Sequence, residues 1–348
     1  MKYSGIGGQA VIEGIMMRNG RKYAVGVRKP DGEICVDVKE RIPLTERYKI
    51  AGLPFIRGTF SFAESLIVGM STLMYSASFY EDDEEEEPGK FELWLEKTFG
   101  DKLDKVIMTV SMVFSVVLAM VLFMWLPLGI AGLLRKAIPS DTAMALVEGV
   151  LRVAIFILYI KIVSHTEDIR RTFMYHGAEH KCINCIEHGL PLCVDNVAVS
   201  SKEHKRCGTS FIVIVKIIGI LFFMVIRVPN PLMRFLSRII LLPVIAGVSY
   251  EFLRLAGRSD NPVVNALSRP GMWMQALTTY EPDDSMIEVA IAAVNAVFDW
   301  ESYQKENFPD GPDQLGLQLM EKAKARAEEK AQAGAEAKTP ADTVEAGA

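Results

Sequence analysis

Four long apolar segments constrain the fold of this chain more than any other feature. They cover residues 106–134, 143–164, 211–228 and 239–256. A helix needs about 20 mostly apolar residues to cross about 30 Å of hydrocarbon, and each segment comes close to that length. Backbone groups in lipid must be hydrogen-bonded within the segment, which favours a helix. The sequence therefore predicts an α-helical integral membrane protein with four transmembrane helices, forming a membrane domain over 106–256.

Charged residues interrupt three of these segments. Glu148 and Arg152 lie four residues apart in the second segment, on one face of a helix, and can form an ion pair there. Lys216 in the third segment and Glu251 in the fourth are both expected near the same membrane face. A mutual ion pair and a functional role are both compatible with these positions.

The distribution of lysine and arginine predicts the orientation, because excess positive charge stays in the cytoplasm. The flanks 90–105, 165–210 and 257–270 together hold twelve of these residues, whereas 135–142 and 227–238 hold five. We therefore expect both termini and the long loop 165–210 to be cytoplasmic. The lipid bilayer is thus an expected partner. The formal net charge of −5 gives no basis for nucleic acid as a partner.

Residues 59–80 are apolar enough to form a fifth span. This segment contains Glu64 and five serines, and the acidic run 81–87 follows it. These features favour a helix that lies on the membrane surface or packs against the bundle. We therefore assign 59–105 to an amphipathic helix followed by an acidic loop and a linker.

The N-terminal residues predict a small β-rich unit. Residues 23–27 and 34–38 alternate in the manner of strands, and a turn at 29–33 joins them into a hairpin. Residues 9–18 supply a possible third strand. We expect residues 1–58 to form this unit on the cytoplasmic side of the membrane.

The residues after the last span divide into two parts. Apolar residues at helical spacing over 284–300 predict a helix that docks on the folded body. This helix belongs to a cytoplasmic helical segment at 257–310. Residues 311–348 are rich in Ala, Glu and Lys without an apolar stripe, so they predict a disordered tail.

The loop between the second and third spans carries the candidate chemistry. On a helix, His176 and His180 are one turn apart and can direct two imidazoles at one metal, with Glu179 beside them as a general base. The order His-x-x-Glu-His is also that of inverzincin-type zinc hydrolases. Such a site needs a further ligand, for which the candidates are His204, Cys207 and Glu251.

A second interpretation of the same loop is structural. Cys182-x2-Cys185 and His204-x2-Cys207 are separated by eighteen residues, which is the spacing of a zinc ribbon that closes one tetrahedral site. A third interpretation involves no metal, because cysteines near a membrane surface often serve as small apolar residues. The spacing alone leaves all three interpretations open.

Four motifs in the chain resemble those of a known family. They are GGQAVIEGIMMR at 7–18, RG at 57–58, HGAEHK at 176–181 and RCGTSF at 206–211. Over roughly residues 1–310 the chain resembles the bacterial YqhQ-like membrane proteins, a family of unknown function whose members are labelled predicted metal-dependent enzymes. The resemblance implies the bacterial cell membrane as the location, and it implies as suspected site residues His176, Glu179, His180, His204 and Cys207. It does not include Cys182.

The leading hypothesis is a metal-dependent membrane enzyme, hydrolytic in class, with its site at the cytoplasmic membrane face. It would hold a divalent metal, with zinc the first candidate, and Glu179 would move the proton. The residues expected to hold the unknown substrate are Gln9, Glu13, Arg18, Arg57 and Arg206.

The alternative hypothesis is a non-catalytic membrane scaffold or transport accessory protein. Any zinc would then be structural, and the charged residues of the spans would pair with partner helices. A homo-oligomer or another membrane protein is the partner that this hypothesis implies.

The predicted orientation can be tested with a reporter fused after Ser201. Because positive charge places the loop 165–210 inside the cell, the reporter should behave as cytosolic. Labelling of the same position from outside intact cells would contradict the orientation.

Overall fold

The computed structural model of the chain describes residues 2–80, 100, 103–226, 228, 230–259 and 261–336. The expected acidic loop at 81–87, most of the linker expected after it and the last residues of the expected tail, 337–348, lie outside the described residues. The described part is mostly helical, with one small sheet near the N-terminus.

The sheet is an antiparallel meander of four neighbouring strands, in the order β1 (Gly7–Val11), β2 (Gly14–Asn19), β3 (Lys22–Arg28) and β4 (Ile34–Glu40). The predicted hairpin is confirmed as β3 and β4. Residues 9–18 form parts of two strands instead of one, because the chain reverses at Ile12 and Glu13, where Glu13 has a φ of 46°. The sheet therefore has one strand more than we expected.

The helices follow the sheet in chain order. They are α1 (Leu44–Arg47), α2 (Ile56–Ala77), α3 (Leu103–Met120), α4 (Leu126–Leu133), α5 (Asp141–Val163), α6 (Glu167–Glu187), α7 (Val194–Val199), α8 (Gly208–Val225), α9 (Pro231–Ala256), α10 (Pro262–Thr278), α11 (Asp284–Val297), α12 (Trp300–Asn307) and α13 (Gln314–Glu336). A π-helical segment, Val121–Trp125, joins α3 to α4.

Four helical stretches are long and apolar enough to cross a membrane: Thr109–Lys136, Thr142–Val163, Gly208–Val225 and Phe235–Ala256. They agree with the four predicted apolar segments to within a few residues. Large apolar side chains along them are exposed, among them Phe114, Leu158 and Ile240. Contiguous apolar surface of this extent is unfavourable in water.

The segment considered for a fifth span forms α2, which is not one of these four stretches. Its first turns pack on α9, where the Thr59 hydroxyl donates to the carbonyl of Pro243 over 3.0 Å. Its last turn meets the sheet, where the Ile12 N–H donates to the Ser76 hydroxyl over 3.1 Å. Between these ends, Leu66 and other apolar side chains are exposed.

The body outside the four apolar helices has its own core. The predicted docking helix is confirmed as α11, and it packs on the sheet together with α6. Ile15 and Met17 of the sheet, Tyr175 of α6 and Ile287 of α11 are almost completely buried in this core. The N-terminal sheet is therefore joined to residues from the far end of the chain.

Helix α13 corrects the expectation of a disordered tail from residue 311. Leu319 and Ala323 are buried, and α13 packs against α7. Arg326 also donates to Asp195 over 2.6 Å and to Asp284. A few apolar residues and a charge network thus dock a helix whose sequence is mostly polar.

The charged residues of the apolar helices have partners on different elements. The predicted ion pair between Glu148 and Arg152 is present, with 2.6 Å between nitrogen and oxygen. Glu251 pairs with Arg57 of α2, with 2.6 Å from Nε to Oε1. This interaction joins α2 to α9, so Glu251 does not pair with Lys216.

Gly177 allows a close contact between α6 and the chain that follows α10. A Cβ atom at this position would overlap the carbonyl oxygen of Tyr280. The N–H of Tyr280 in turn donates to the carbonyl of Phe173 over 2.9 Å. The low helical propensity of this glycine is therefore offset by a contact that a larger residue would exclude.

We predict that Gly177→Ala destabilises the folded protein by about 1–3 kcal/mol, the usual cost of overpacking. Thermal unfolding of the purified protein in detergent measures this. The matched control is Gly129→Ala, because a Cβ there meets nothing within 4 Å and alanine favours the helix. Equal unfolding midpoints for the two variants would contradict the contact.

Candidate metal centre

Two histidines of α6 and one cysteine at the start of α8 converge on one point. His176 and His180 lie one turn apart, and the centroids of their rings are 4.4 Å apart. Cys207 is the residue that caps α8. The three potential donor atoms, one from each side chain, all lie within 4.8 Å of one another. The i, i+4 spacing on a helix and the start of an apolar helix thus create the cluster.

Backbone carbonyls fix the tautomer of both imidazoles. His176 Nδ1 lies 2.8 Å from the Thr278 carbonyl oxygen, and His180 Nδ1 lies 2.7 Å from that of Lys202. A carbonyl oxygen only accepts, so each Nδ1 carries the hydrogen and each neutral ring keeps a lone pair on Nε2. Histidines that bind metals are held in this way by their other ring nitrogen.

The sulfur of Cys207 faces these lone pairs. His176 Nε2 lies 3.2 Å from Sγ, and Sγ also accepts the N–H of Thr209 over 3.3 Å. A neutral thiol has one hydrogen, which can satisfy one of the two Nε2 lone pairs. A divalent cation would accept both lone pairs and the sulfur together, so the donor set fits a metal.

Burial supports the neutral form of His180, which is 2% exposed. Burial lowers the pKa of His180, and this effect is partly opposed by the neighbouring Cys207. A neutral imidazole is the form that can bind a metal. The position of His180 therefore favours metal binding near neutral pH.

Glu179 lies between the two histidines in sequence and is buried against strand β1. The N–H of Gly8 donates to its carboxylate, and a Cβ atom on Gly8 would come within 2.9 Å of the carboxyl carbon. Burial raises the pKa of Glu179, although the nearby His176 ring and the hydrogen bond from Gly8 oppose the shift. A carboxyl group with a raised pKa can carry a proton beside the histidines, and it also anchors β1 on α6.

Side chains of α6 hold the loop that leads to Cys207. The buried ammonium of Lys181 donates to the carbonyls of Ala198 and Ser200 over 2.7 and 3.0 Å. About one helical turn further along α6, Asn184 donates to the carbonyl of Ser201 over 2.7 Å. The loop is therefore fixed to the same helix that carries the two imidazoles.

Gln275 of α10 holds the loop from the other side. Its carbonyl oxygen accepts the N–H of His204 and its amide nitrogen donates to the His204 carbonyl, both over 2.8 Å. The same amide nitrogen donates to the Ser210 hydroxyl over 2.8 Å. The side chain is fully buried, so these contacts position the segment that contains Cys207.

The structure places the imidazole of His204 beside Glu187, outside the three-donor cluster. His204 Nε2 lies 3.2 Å from a Glu187 carboxylate oxygen, and Nδ1 accepts the N–H of Arg206 over 3.3 Å. Both ring nitrogens are thus engaged. Burial lowers the pKa of His204, although the carboxylate of Glu187 acts in the opposite direction.

Glu187 is a residue that the sequence analysis missed. Its buried carboxylate binds Arg206, His204 and the N–H and hydroxyl of Ser4, the last two over 2.8 and 2.7 Å. Burial alone would raise the pKa of Glu187, but the hydrogen bond from His204 and the charge of Arg206 lower it to about 2. A signal was present, because Glu187 follows His180 by two helical turns and shares its face.

The structure does not bring the four zinc-ribbon residues together. The cluster of possible metal ligands found among the described residues includes neither Cys182 nor Cys185. Cys182 is buried in the apolar core, and Cys185 Sγ lies 3.6 Å from the Leu190 carbonyl oxygen. Burial raises the pKa of both thiols. Glu251 is likewise absent from the cluster, since it binds Arg57.

The residues expected to hold substrate join parts of the protein to one another. Glu13 binds Arg171 of α6, with 2.6 Å between Nη2 and Oε2, and Arg18 binds the buried Glu64 of α2 over 3.0 Å. Gln9 packs against Gly69 of α2. Of the other two, Arg57 binds Glu251, and Arg206 binds Glu187 and lies 4.0 Å from the ring centroid of Tyr3.

These features define a class of protein: mostly helical, with four helices apolar enough to cross a membrane, an N-terminal four-stranded sheet and a His-His-Cys cluster. Residues 53–300 match the model of a family described as "Protein of unknown function (DUF1385)", and the chain belongs to this family. The matched residues include His176, His180 and Cys207.

The chain is also similar to a protein of Bacillus subtilis (strain 168) described as "Uncharacterized protein YqhQ". The two are 34% identical over 302 residues, which is 86% of this chain and 94% of that protein. The resemblance to YqhQ-like proteins is thereby confirmed. No solved structure matches the chain.

We predict that Glu187→Gln destabilises the protein at pH 7 by about 3 kcal/mol, because it leaves the partly buried Arg206 beside an uncharged group. Folding lowers the pKa of Glu187 from 4.5 to about 2. Its charge therefore stabilises the fold fully above about pH 4.5, and this contribution is lost as the pH falls toward 2.

Chemical denaturation between pH 3 and pH 7 measures this effect. The difference in free energy of unfolding between wild type and Glu187→Gln should become smaller as the pH falls. Glu203→Gln, an exposed position of the same loop, serves as the control and should change little at any pH. A constant difference for Glu187→Gln across the range would contradict the lowered pKa.

Proposed function

We propose that the protein is a metal-dependent membrane enzyme, hydrolytic in class, with its site at the cytoplasmic face of the bacterial cell membrane. The observation that carries the proposal is the convergence of His176, His180 and Cys207 with both Nδ1 atoms held by carbonyls. The membrane location rests on the four apolar helices, and the bacterial location on the relative from Bacillus subtilis.

The number of donors favours a catalytic over a structural metal. Structural zinc sites use four protein ligands, whereas catalytic sites use three and leave a position open. Within the ranges that the structure describes, the cluster contains three donors. Two imidazoles and one thiol suit zinc among the common divalent metals.

The residues of the centre have different chemical roles. A bound divalent metal supplies a Lewis acid that polarises a substrate carbonyl or phosphoryl group and activates water. Glu179 accepts or donates a proton at its carboxylate beside His176, and the N–H of Gly8 holds that carboxylate in place. The burial of His180 and Cys207 limits the access of bulk water.

The position of Cys207 supports a centre at a membrane face. Cys207 directly precedes α8, whose first residue also begins the third apolar stretch. Of the five positive charges counted on the opposite side, Arg238 is buried in a pair with Glu148, at 2.6 Å. Lys181 is buried on the other side. Without these two buried cations the count is four against eleven, which supports a cytoplasmic centre and cytoplasmic termini.

The alternative function is a non-catalytic scaffold or transport accessory protein. Its support is that Glu179 binds the backbone of β1 and that the loop is held by many hydrogen bonds. In this case the centre would fasten the loop to α6. The two functions differ in whether Glu179 is needed for a reaction or for stability.

We expect the purified full-length protein to contain about one metal ion per chain, and the double variant His176→Ala, His180→Ala to contain almost none. Elemental analysis by mass spectrometry measures this. The control is His165→Ala, since His165 is exposed and lies 2.6 Å from the carbonyl of Lys161. Equal metal content in the double variant and the control would rule out the centre.

A second experiment separates the enzyme from the scaffold. In proteoliposomes offered ester, peptide and phosphodiester substrates, Glu179→Gln should keep its metal and lose hydrolysis by about 100-fold or more, the usual effect of a general base. Normal hydrolysis by this variant would contradict the role of Glu179. The scaffold would be favoured if the wild type hydrolysed none of the three substrate classes and Glu179→Gln only lowered the stability of the fold.

A further inference from the structure

A cavity between the apolar helices is a second place where charge is concentrated. Its volume is about 660 Å³, within the range of ligand pockets, which is roughly 300–1,000 Å³. Residues of the four apolar helical stretches line it, and the charged ones are Arg135, Glu148, Arg152, Lys216 and Arg238. The cavity thus contains four cationic side chains and one carboxylate.

The single carboxylate neutralises part of this charge. Glu148 is 3% exposed, and it binds Arg152 and Arg238 through the same oxygen, each over 2.6 Å. Two guanidinium groups therefore share one negative charge. The Nε atom of Arg152 is buried without a hydrogen-bond partner.

Lys216 adds a further positive charge deep in the cavity. Its ammonium nitrogen lies 4.5 Å from the ring centroid of Phe156 and 5.7 Å from that of Phe123. Among the described residues no carboxylate pairs with it. Aromatic faces offset a small part of the cost of burying an ammonium group, so the cavity retains an excess of positive charge.

The rest of the lining is apolar. Leu128, Val215, Ile220, Phe223 and Leu242 are among the residues that form it. An ionisable group between apolar helices is costly unless it meets an opposite charge. The lining therefore matches a ligand that combines an anionic group with hydrocarbon.

The cavity is separate from the metal centre. Lys216 follows Cys207 by nine residues along α8, which is about 13.5 Å at 1.5 Å per residue. Arg135 and Arg238 lie at the ends of their helical stretches opposite to Cys207. The charges thus extend from that opposite membrane face to the middle of the bundle.

We propose that this cavity binds a phosphate-bearing ligand, with the phosphate held by Arg152, Lys216 and Arg238. Guanidinium groups bind phosphate through paired hydrogen bonds, and an ammonium group adds a point charge. The apolar lining favours a phospholipid headgroup as the source of the phosphate. Free inorganic phosphate has the same chemistry and is the alternative source.

Native mass spectrometry of the full-length protein in detergent tests the proposal. The probes are phosphatidylglycerol, phosphatidylcholine and inorganic phosphate, added separately. We expect one phosphatidylglycerol per chain to be retained in preference to phosphatidylcholine, because the zwitterionic headgroup cancels its own negative charge. Retention of inorganic phosphate in place of either lipid would assign the site to free phosphate.

The decisive variant is Lys216→Gln, because removing an ammonium without a paired carboxylate leaves no charge orphaned. The retention of phosphatidylglycerol by this variant should fall by about tenfold or more, which is the effect of losing one charge-assisted hydrogen bond. The control is Lys161→Gln, an exposed lysine in the last turn of α5 that does not line the cavity. An unfolding measurement confirms that each variant is folded, and Lys216→Met replaces Lys216→Gln if that variant is not.

Two results would overturn the proposal. The first is equal retention of phosphatidylglycerol and phosphatidylcholine with no retention of phosphate. The second is undiminished retention by a folded Lys216 variant, since the ligand would then lie outside the cavity.

Discussion

The attachment of one loop to helix α6 is the constraint on which the candidate site depends. Lys181 and Asn184 donate to carbonyls of this loop, and Gln275 holds it from α10. These contacts bring Cys207 to the imidazoles of the same helix. Buried carbonyls of the loop would be costly without hydrogen-bond donors. The side chains that donate to them also bring the metal donors together.

Features with a local cause were predictable from the sequence, whereas the choice of the third donor was not. Apolar length predicted the four helices, and helical spacing predicted that His176 and His180 share a face. Cys207 could not be distinguished from His204 and Glu251, because distant partners occupy those two: Glu187 binds His204, and Arg57 binds Glu251. For the same reason α13 was missed, because its docking rests on contacts with α7 and on an arginine that reaches distant carboxylates.

Helix α8 links the candidate metal centre to the charged cavity. Cys207, the residue that caps its start, carries the sulfur of the candidate metal centre, and Lys216 lies near the middle of the helix, in the cavity. The first region is built from groups that bind a cation, and the second from groups that bind an anion. Because one rigid helix carries both, the two sites are held at a fixed separation.

X-ray absorption spectroscopy of the metal in the full-length protein tests the central claim most directly. The account predicts zinc with one sulfur at about 2.3 Å, two imidazole nitrogens at about 2.0–2.1 Å and one further light atom. The number of sulfur neighbours decides the result, because His176, His180 and Cys207 supply one and the zinc-ribbon residues would supply three. Three sulfurs around the metal, or a protein that purifies without any metal, would contradict the account.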